Sequence, residues 1–278
     1  VCRCNAGLIQ RKTFDNEGKL VDTQVTTNKK FDSRGNVLDQ TVEAFDEKGG
    51  LIDRVETKNS GFDSRGNPAL TVREVFGKDG KLIDRQEIET QEYNSRGNVL
   101  SQAIKSFDKD GKLTNIEKVK NLDLNARGTP ARTERETLDP SGILIEKSVT
   151  VNEKFDTRGN ILEAMVTRTD EKGEVIDTSV TVNSEYDSRG NAHKVVRKTY
   201  DEKGEPVSEQ RISNEKFDSR GNVLSQTVEN YDDKGVLMDK QEIKNLKFNS
   251  RGNPLETIRE NYDDKGNLLD RQVVKNHK

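Results

Sequence analysis

Short runs in which Val, Ile, Leu, Thr and aromatic residues alternate with charged or amide residues fill this 278-residue chain, and tetrads ending in glycine punctuate them. A two-residue alternation is the signature of a pleated strand, and no window sustains an apolar stripe at helical spacing. The punctuation is regular. One set of turn glycines stands at Gly35, Gly66, Gly97, Gly128, Gly159, Gly190, Gly221 and Gly252, every step being 31 residues. A second set, from Gly18 and Gly49 through Gly80, Gly111, Gly142, Gly173, Gly204 and Gly235 to Gly266, keeps the same step. Strand-like stretches such as Asn36 to Phe45 and Gly50 to Phe62 lie between them. Each 31-residue unit therefore reads turn, strand, turn, strand, and the chain holds about eighteen strands.

The tetrad chemistry fits hairpins. In Asp32-Ser33-Arg34-Gly35 the aspartate can accept from the amides that follow it. The two middle residues suit type I geometry, and glycine suits the left-handed position that closes the turn with a bulge. The second set obeys the same rule, with Pro140 where proline is favoured.

Counted from the second-set glycine, the following strand keeps fixed columns. Leu stands at +2 (Leu20, Leu51, Leu82), Asp at +4 (Asp22, Asp53, Asp84), a β-branched residue at +8 and Asn at +10. Their shared parity predicts one common face. The other strand alternates: Arg11, Arg73, Arg135, Arg197 and Arg259 interleave with Val42, Ile104, Val166 and Val228. Likewise Val37, Val99, Ile161 and Val223 interleave with Pro68, Pro130, Ala192 and Pro254. The structural unit is thus expected to span 62 residues. The fold predicted is an all-β antiparallel hairpin array that spirals, with a β-solenoid of one coil per repeat as the alternative. Residues 1–278 make nine periods less one residue, read as one continuous array and a segment of a longer one. One unit carries too few apolar residues to offset the entropy of ordering it, so copies must stabilise one another.

Composition narrows the function. Apolar residues make up 29% and charged residues 35%, with no Trp, yet the net charge is only −3 because the signs are interspersed. No local excess of Lys and Arg offers a nucleic-acid groove, and no apolar run could span a membrane as a helix. Two cysteines, Cys2 and Cys4, cannot form a disulfide framework. They align with the Ser and Gly of a drifted turn. Catalytic, metal and cofactor sites are not expected, because acidic and basic residues recur in every copy and no constellation stands out.

Two columns ask for a specific chemistry. Arginine precedes every first-set glycine: Arg34, Arg65, Arg96, Arg127, Arg158, Arg189, Arg220 and Arg251, with Arg3 at the drifted turn. Turn geometry alone would accept lysine there, as the second set does, so a planar guanidinium bridging two acceptors is implied. The structural reading is a ladder onto adjacent repeats; the other is a row of anion or sugar-acid sites. The Asn column, Asn28, Asn59, Asn121, Asn152, Asn183, Asn214, Asn245 and Asn276, with Thr90 the exception, reads as a side-chain ladder.

The phrases YDDKGNLL from Tyr262, YDEKGEPV from Tyr200 and YDSRGNAH from Tyr186 resemble the YD-repeat, or Rhs, family. That resemblance implies extracellular or surface hairpin arrays, some curling into hollow shells around toxin cargo. Here Phe often replaces Tyr and the spacing never varies. The function expected is therefore a structural extracellular repeat protein: a segment of a surface fibre, stalk or filament. A toxin-enclosing shell and an adhesin-like glycan- or anion-binding array are the alternatives. Expected partners are neighbouring repeats, copies of the chain itself and surface glycans, with neither nucleic acid nor membrane insertion.

Overall fold

The computed structural model describes residues 7–14, 20–248 and 252–275. Eighteen strands follow one another. The odd strands are β1 (Leu8–Phe14), β3 (Val37–Asp46), β5 (Leu70–Gly77), β7 (Val99–Phe107), β9 (Pro130–Leu138), β11 (Ile161–Asp170), β13 (Ala192–Tyr200), β15 (Val223–Tyr231) and β17 (Pro254–Asp263). The even strands are β2 (Leu20–Phe31), β4 (Leu51–Ser60), β6 (Leu82–Tyr93), β8 (Leu113–Leu124), β10 (Leu144–Phe155), β12 (Val175–Tyr186), β14 (Pro206–Phe217), β16 (Leu237–Phe248) and β18 (Leu268–Lys275). First-set turns lead from even to odd strands, and second-set turns from odd to even.

The chain forms two compact units. One comprises the strands up to Asn121 with Arg135–Ile145; the other comprises Leu122–Glu134 and the strands from Glu146 onward. In the first, β1 to β8 pair consecutively and antiparallel. In the second, β10 to β18 do the same. This is the hairpin array; a solenoid coil would set parallel strands side by side.

Each turn closes as its letters dictate. At the first set, Gly35 N–H donates to Asp32 O at 3.0 Å and Asp32 N–H to Asn36 O at 2.9 Å. Gly35 has φ 86°, where a Cβ is disfavoured. Asp32 Oδ1 accepts from the amides of Arg34 and Asn36 at 2.9 and 2.8 Å.

The expected common face is corrected by the structure. The second-set hairpins β1–β2, β3–β4, β5–β6, β7–β8, β11–β12, β13–β14, β15–β16 and β17–β18 each insert one residue at glycine +3. In β3–β4, for example, Phe45 faces Leu51 while Ala44 faces Asp53, so Ile52 is the extra residue. Opposed residues share a face, so this bulge puts the Leu column on the opposite face from the Asp, β-branched and Asn columns. The glycine +3 position is apolar in Val21, Ile52, Ile83, Ile145, Ile176, Val207, Met238 and Leu269. Six of these, from Ile83 onward, are exposed.

The 62-residue alternation is visible in the backbone. Gly61, Asp123 and Glu185 take φ of 66°, 53° and 55°, and each precedes an aromatic or apolar residue entering a first-set turn. At the intervening turns the register shifts instead, at Asn28/Lys30, Thr90/Glu92, Asn152/Lys154 and Asn214/Lys216. The left-handed form precedes Pro68, Pro130 and Ala192, and the bulged form precedes Val37, Val99, Ile161 and Val223. Proline alone does not decide the form, because Pro254 faces Phe248 as Val37 faces Phe31. The turn before Pro254 departs from the rule and is bulged.

A conventional core is nearly absent. Among the described residues the buried apolar side chains are Val21, Ala44, Val55, Val119, Leu138, Ile243 and Phe248. Most other strand residues are half-buried, covered by cross-strand neighbours. Cohesion must then come from pairwise contacts repeated along the sheet.

Candidate functional site

The first-set turns are where copies touch. Arg34 Nη1 donates to Asp63 O at 2.7 Å and Nη2 to Phe62 O at 3.2 Å, so one guanidinium bridges two acceptors in the next repeat. Arg65 reaches Asn94 O at 3.0 Å, Arg158 reaches Asp187 O at 3.0 Å, and Arg189 reaches Asp218 O at 3.1 Å. Arg96 and Arg220 are also engaged. A lysine could not reproduce the two-pronged contact of Arg34.

In the first-set turns that open with aspartate, the asparagine after the glycine completes the stack. Its amide donates to Oδ2 of its own turn's aspartate, as in Asn67 to Asp63 at 2.9 Å. Its Oδ1 then lies over the next copy's glycine. A Cβ on Gly66 would stand 2.5 Å from Asn36 Oδ1, and one on Gly252 would stand 2.7 Å from Asn222 Oδ1. Gly97, Gly190 and Gly221 are covered in the same way. Glycine is thus required twice over, by φ and by close approach. On the opposite edge, a Cβ on Gly49, Gly80, Gly111, Gly142, Gly173, Gly204, Gly235 or Gly266 would meet nothing within 4 Å. Both edges share the local turn, since Asp46 Oδ1 accepts from Lys48 and Gly50 amides as Asp32 does. Only the arginine edge stacks turn upon turn.

The Asn column bonds to backbone. Asn59 Nδ2 donates to Val37 O at 3.1 Å, Asn121 to Val99 O at 3.1 Å, and Asn152 to Pro130 O at 2.8 Å. Asn183, Asn214 and Asn245 make the same link to Ile161 O, Ala192 O and Val223 O at 3.0, 2.9 and 2.9 Å. Asn28 Oδ1 accepts from Gln40 Nε2 at 2.7 Å. The acceptors begin the odd strands, beyond the end of the ladder with the following even strand. The amide stands in for the missing backbone donor. Thr90 cannot reach, and Tyr93 Oη bonds Pro68 O at 2.7 Å in its place. That compensation was missed in the sequence, although the one gap in the Asn column lies three residues from a tyrosine.

Charge is local. Bonds from the Asn191 amide, first from its backbone N–H and then from its side chain, hold the Asp187 carboxyl down at about 2. Asp63 is lowered for the same reason by Asn67. Arg54, Arg85 and Arg211 lie 4.6, 4.9 and 4.3 Å from the ring centres of Phe76, Phe107 and Tyr231, tying adjacent strands. Among the described residues no group of three or more His, Cys, Asp or Glu could hold a metal ion. Cys2, Cys4, Arg3, Arg251 and Asn276 lie outside the described residues.

No family model matches the chain, and no curated protein matches it. Among solved structures, TcdB2-TccC3 without its hypervariable C-terminal region aligns with 96% of this chain at 12% identity and a TM-score of 0.19. A eukaryotic initiation factor aligns with 95% of this chain and 88% of its own at 7% identity and a TM-score of 0.34. The Tc holotoxin pore of Photorhabdus luminescens aligns with 96% at 14% identity and a TM-score of 0.13. This chain spans 20% of the TcdB2-TccC3 chain and 21% of the holotoxin chain.

Proposed function

We propose that the chain is a structural repeat element on the outside of the cell, a segment of a fibre, stalk or filament, whose role is mechanical continuity with no reaction. The observation that carries this reading is the arginine edge, where turn guanidiniums are occupied by the next copy's backbone (Arg34 on Asp63 O, Arg65 on Asn94 O). Groups that would have formed a row of ligand sites are committed to joining repeats. The YD-like turn phrases support a surface location. Immunogold labelling of intact producing cells tests it: gold on projections outside unpermeabilised cells supports the reading, and labelling only after lysis contradicts it. Gold confined to closed hollow particles would favour the toxin-enclosing shell.

A further inference from the structure

One first-set turn breaks the ladder. Asn125-Ala126-Arg127-Gly128-Thr129 has Thr where the other described first-set turns place Asn after glycine. Its backbone still closes normally, with Asn125 Oδ1 accepting from the amides of Arg127 and Thr129 at 2.9 and 3.1 Å. Threonine lacks the amide that elsewhere covers the next glycine. Arg127 falls into that space, its Cδ 3.1 Å from where a Cβ on Gly159 would stand. Among the described residues it is the turn arginine whose guanidinium meets no acceptor.

A groove of about 290 Å³ opens beside it, lined by Asn125, Arg127, Phe155, Asp156 and Thr157 among others. Asn125 brings an Nδ2 donor where an aspartate would have brought a carboxylate oxygen. Thr157 brings a hydroxyl, and Phe155 an apolar wall. Asp156 is committed to its own turn: Oδ1 accepts from the amides of Arg158 and Asn160 at 2.8 Å, and Oδ2 from Asn160 Nδ2 at 2.8 Å. Its negative charge still opposes a dianion more than a monoanion.

We propose that this groove is a binding site for a single carboxylate group, which takes the place on Arg127 that the next turn's carbonyl holds elsewhere. A guanidinium forks onto a carboxylate as readily as onto paired carbonyls. The carboxylate comes from an acidic sugar or from a peptide terminus, with the rest of the ligand against Phe155. The row of anion sites considered from the sequence reduces to this one position.

The test is a titration of the full, ¹⁵N-labelled chain followed at the arginine Nε–Hε resonances, with Arg127→Lys giving the assignment. The probes are glucuronate, N-acetylalanine, N-acetylalaninamide and inorganic phosphate. The Arg127 resonance shifts saturably with the two carboxylates, with Kd in the millimolar range, while the amide leaves it still and phosphate binds more weakly. The tighter carboxylate identifies the source, and equal binding supports the shared chemistry. Thr129→Asn restores the ordinary turn motif, so it keeps the fold, raises thermal stability and removes the carboxylate shift. No saturable shift, equal shifts at all turn arginines, tighter phosphate, or binding that survives Thr129→Asn each overturns the proposal.

Discussion

Tyr93→Phe tests whether the Asn column works by supplying donors to strand-end carbonyls. Tyr93 Oη is the side-chain donor on Pro68 O, at 2.7 Å in a half-buried setting. Removing it forfeits a hydrogen bond worth about 1 kcal/mol net and leaves the carbonyl wanting a donor, at a cost of about 1–3 kcal/mol where water cannot reach. Partial exposure places the loss at about 1–2 kcal/mol. Tyr186 offers the control. Its Oη also bonds Ile161 O, but Asn183 Nδ2 holds the same oxygen at 3.0 Å. Tyr186→Phe then leaves the acceptor satisfied and costs about half as much or less. Thr90→Asn in the Tyr93→Phe background restores the column's usual donor and recovers most of the loss. Urea unfolding at constant slope reads the global change, and amide exchange around residues 68–70 reads the local one. Equal losses for the two Tyr→Phe variants, or no recovery with Thr90→Asn, would refute the reasoning.

Gly66→Ala and Gly80→Ala both force a side chain into the left-handed region, at a cost of about 1–2 kcal/mol, but only at Gly66 does the Cβ also strike a neighbour, Asn36 Oδ1. Thermal unfolding therefore finds Gly66→Ala clearly the worse; equal effects contradict the stacked edge. Glu185→Gly stabilises by about 0.5–1 kcal/mol, since the backbone there is already left-handed at φ 55°, and its ion pair with Lys194 is exposed and contributes little; a denaturation midpoint that falls contradicts this. In acid, Asp187 is depressed from 3.8 to about 2, so its contribution is present above the unfolded value and is lost as pH falls through the folded one. Circular dichroism then shows stability declining between about pH 4 and pH 2, and less so in Asp187→Asn, because Asn94 and Asn125 close their turns with the same Oδ1 bonds. An acid transition of undiminished size in Asp187→Asn contradicts it.

The hairpins were legible because each needs only a glycine at one place and, three residues earlier, an aspartate or asparagine whose Oδ1 can accept from the turn amides. The glycines recur every 31 residues, with Gly77 the one departure at the earlier place among the described turns. The alternation of Pro68 with Val37 and Val99 likewise announced two backbone solutions. Face assignment failed for a physical reason. Parity counting assumes an unbroken pleat, and the bulge at Ile52, Ile83 and their equivalents inverts it within two residues of the turn. An apolar residue directly after the Leu column was the only mark it left. The arginine row was legible as a demand for a guanidinium, since Lys fills the corresponding place in the second set at Lys48, Lys172 and Lys203. That its acceptors are carbonyls of the next copy was not legible, because every backbone carbonyl looks alike in a sequence. The opening at Thr129 was present as a single-letter departure and acquires meaning only once Asn36 and Asn222 are seen covering the next glycine.

The central claim is that stability belongs to the joints between copies, through the arginine and asparagine links, and hardly to any copy alone. Urea unfolding of fragments of two, three, four and five repeats, cut at second-set turns, measures it most directly. Free energy of unfolding rises by a constant step for each added repeat, and Arg65→Lys lowers it by the same amount in every fragment that contains both Arg65 and Asn94. A two-repeat fragment as stable as the full chain, or a stability independent of repeat number, would contradict it.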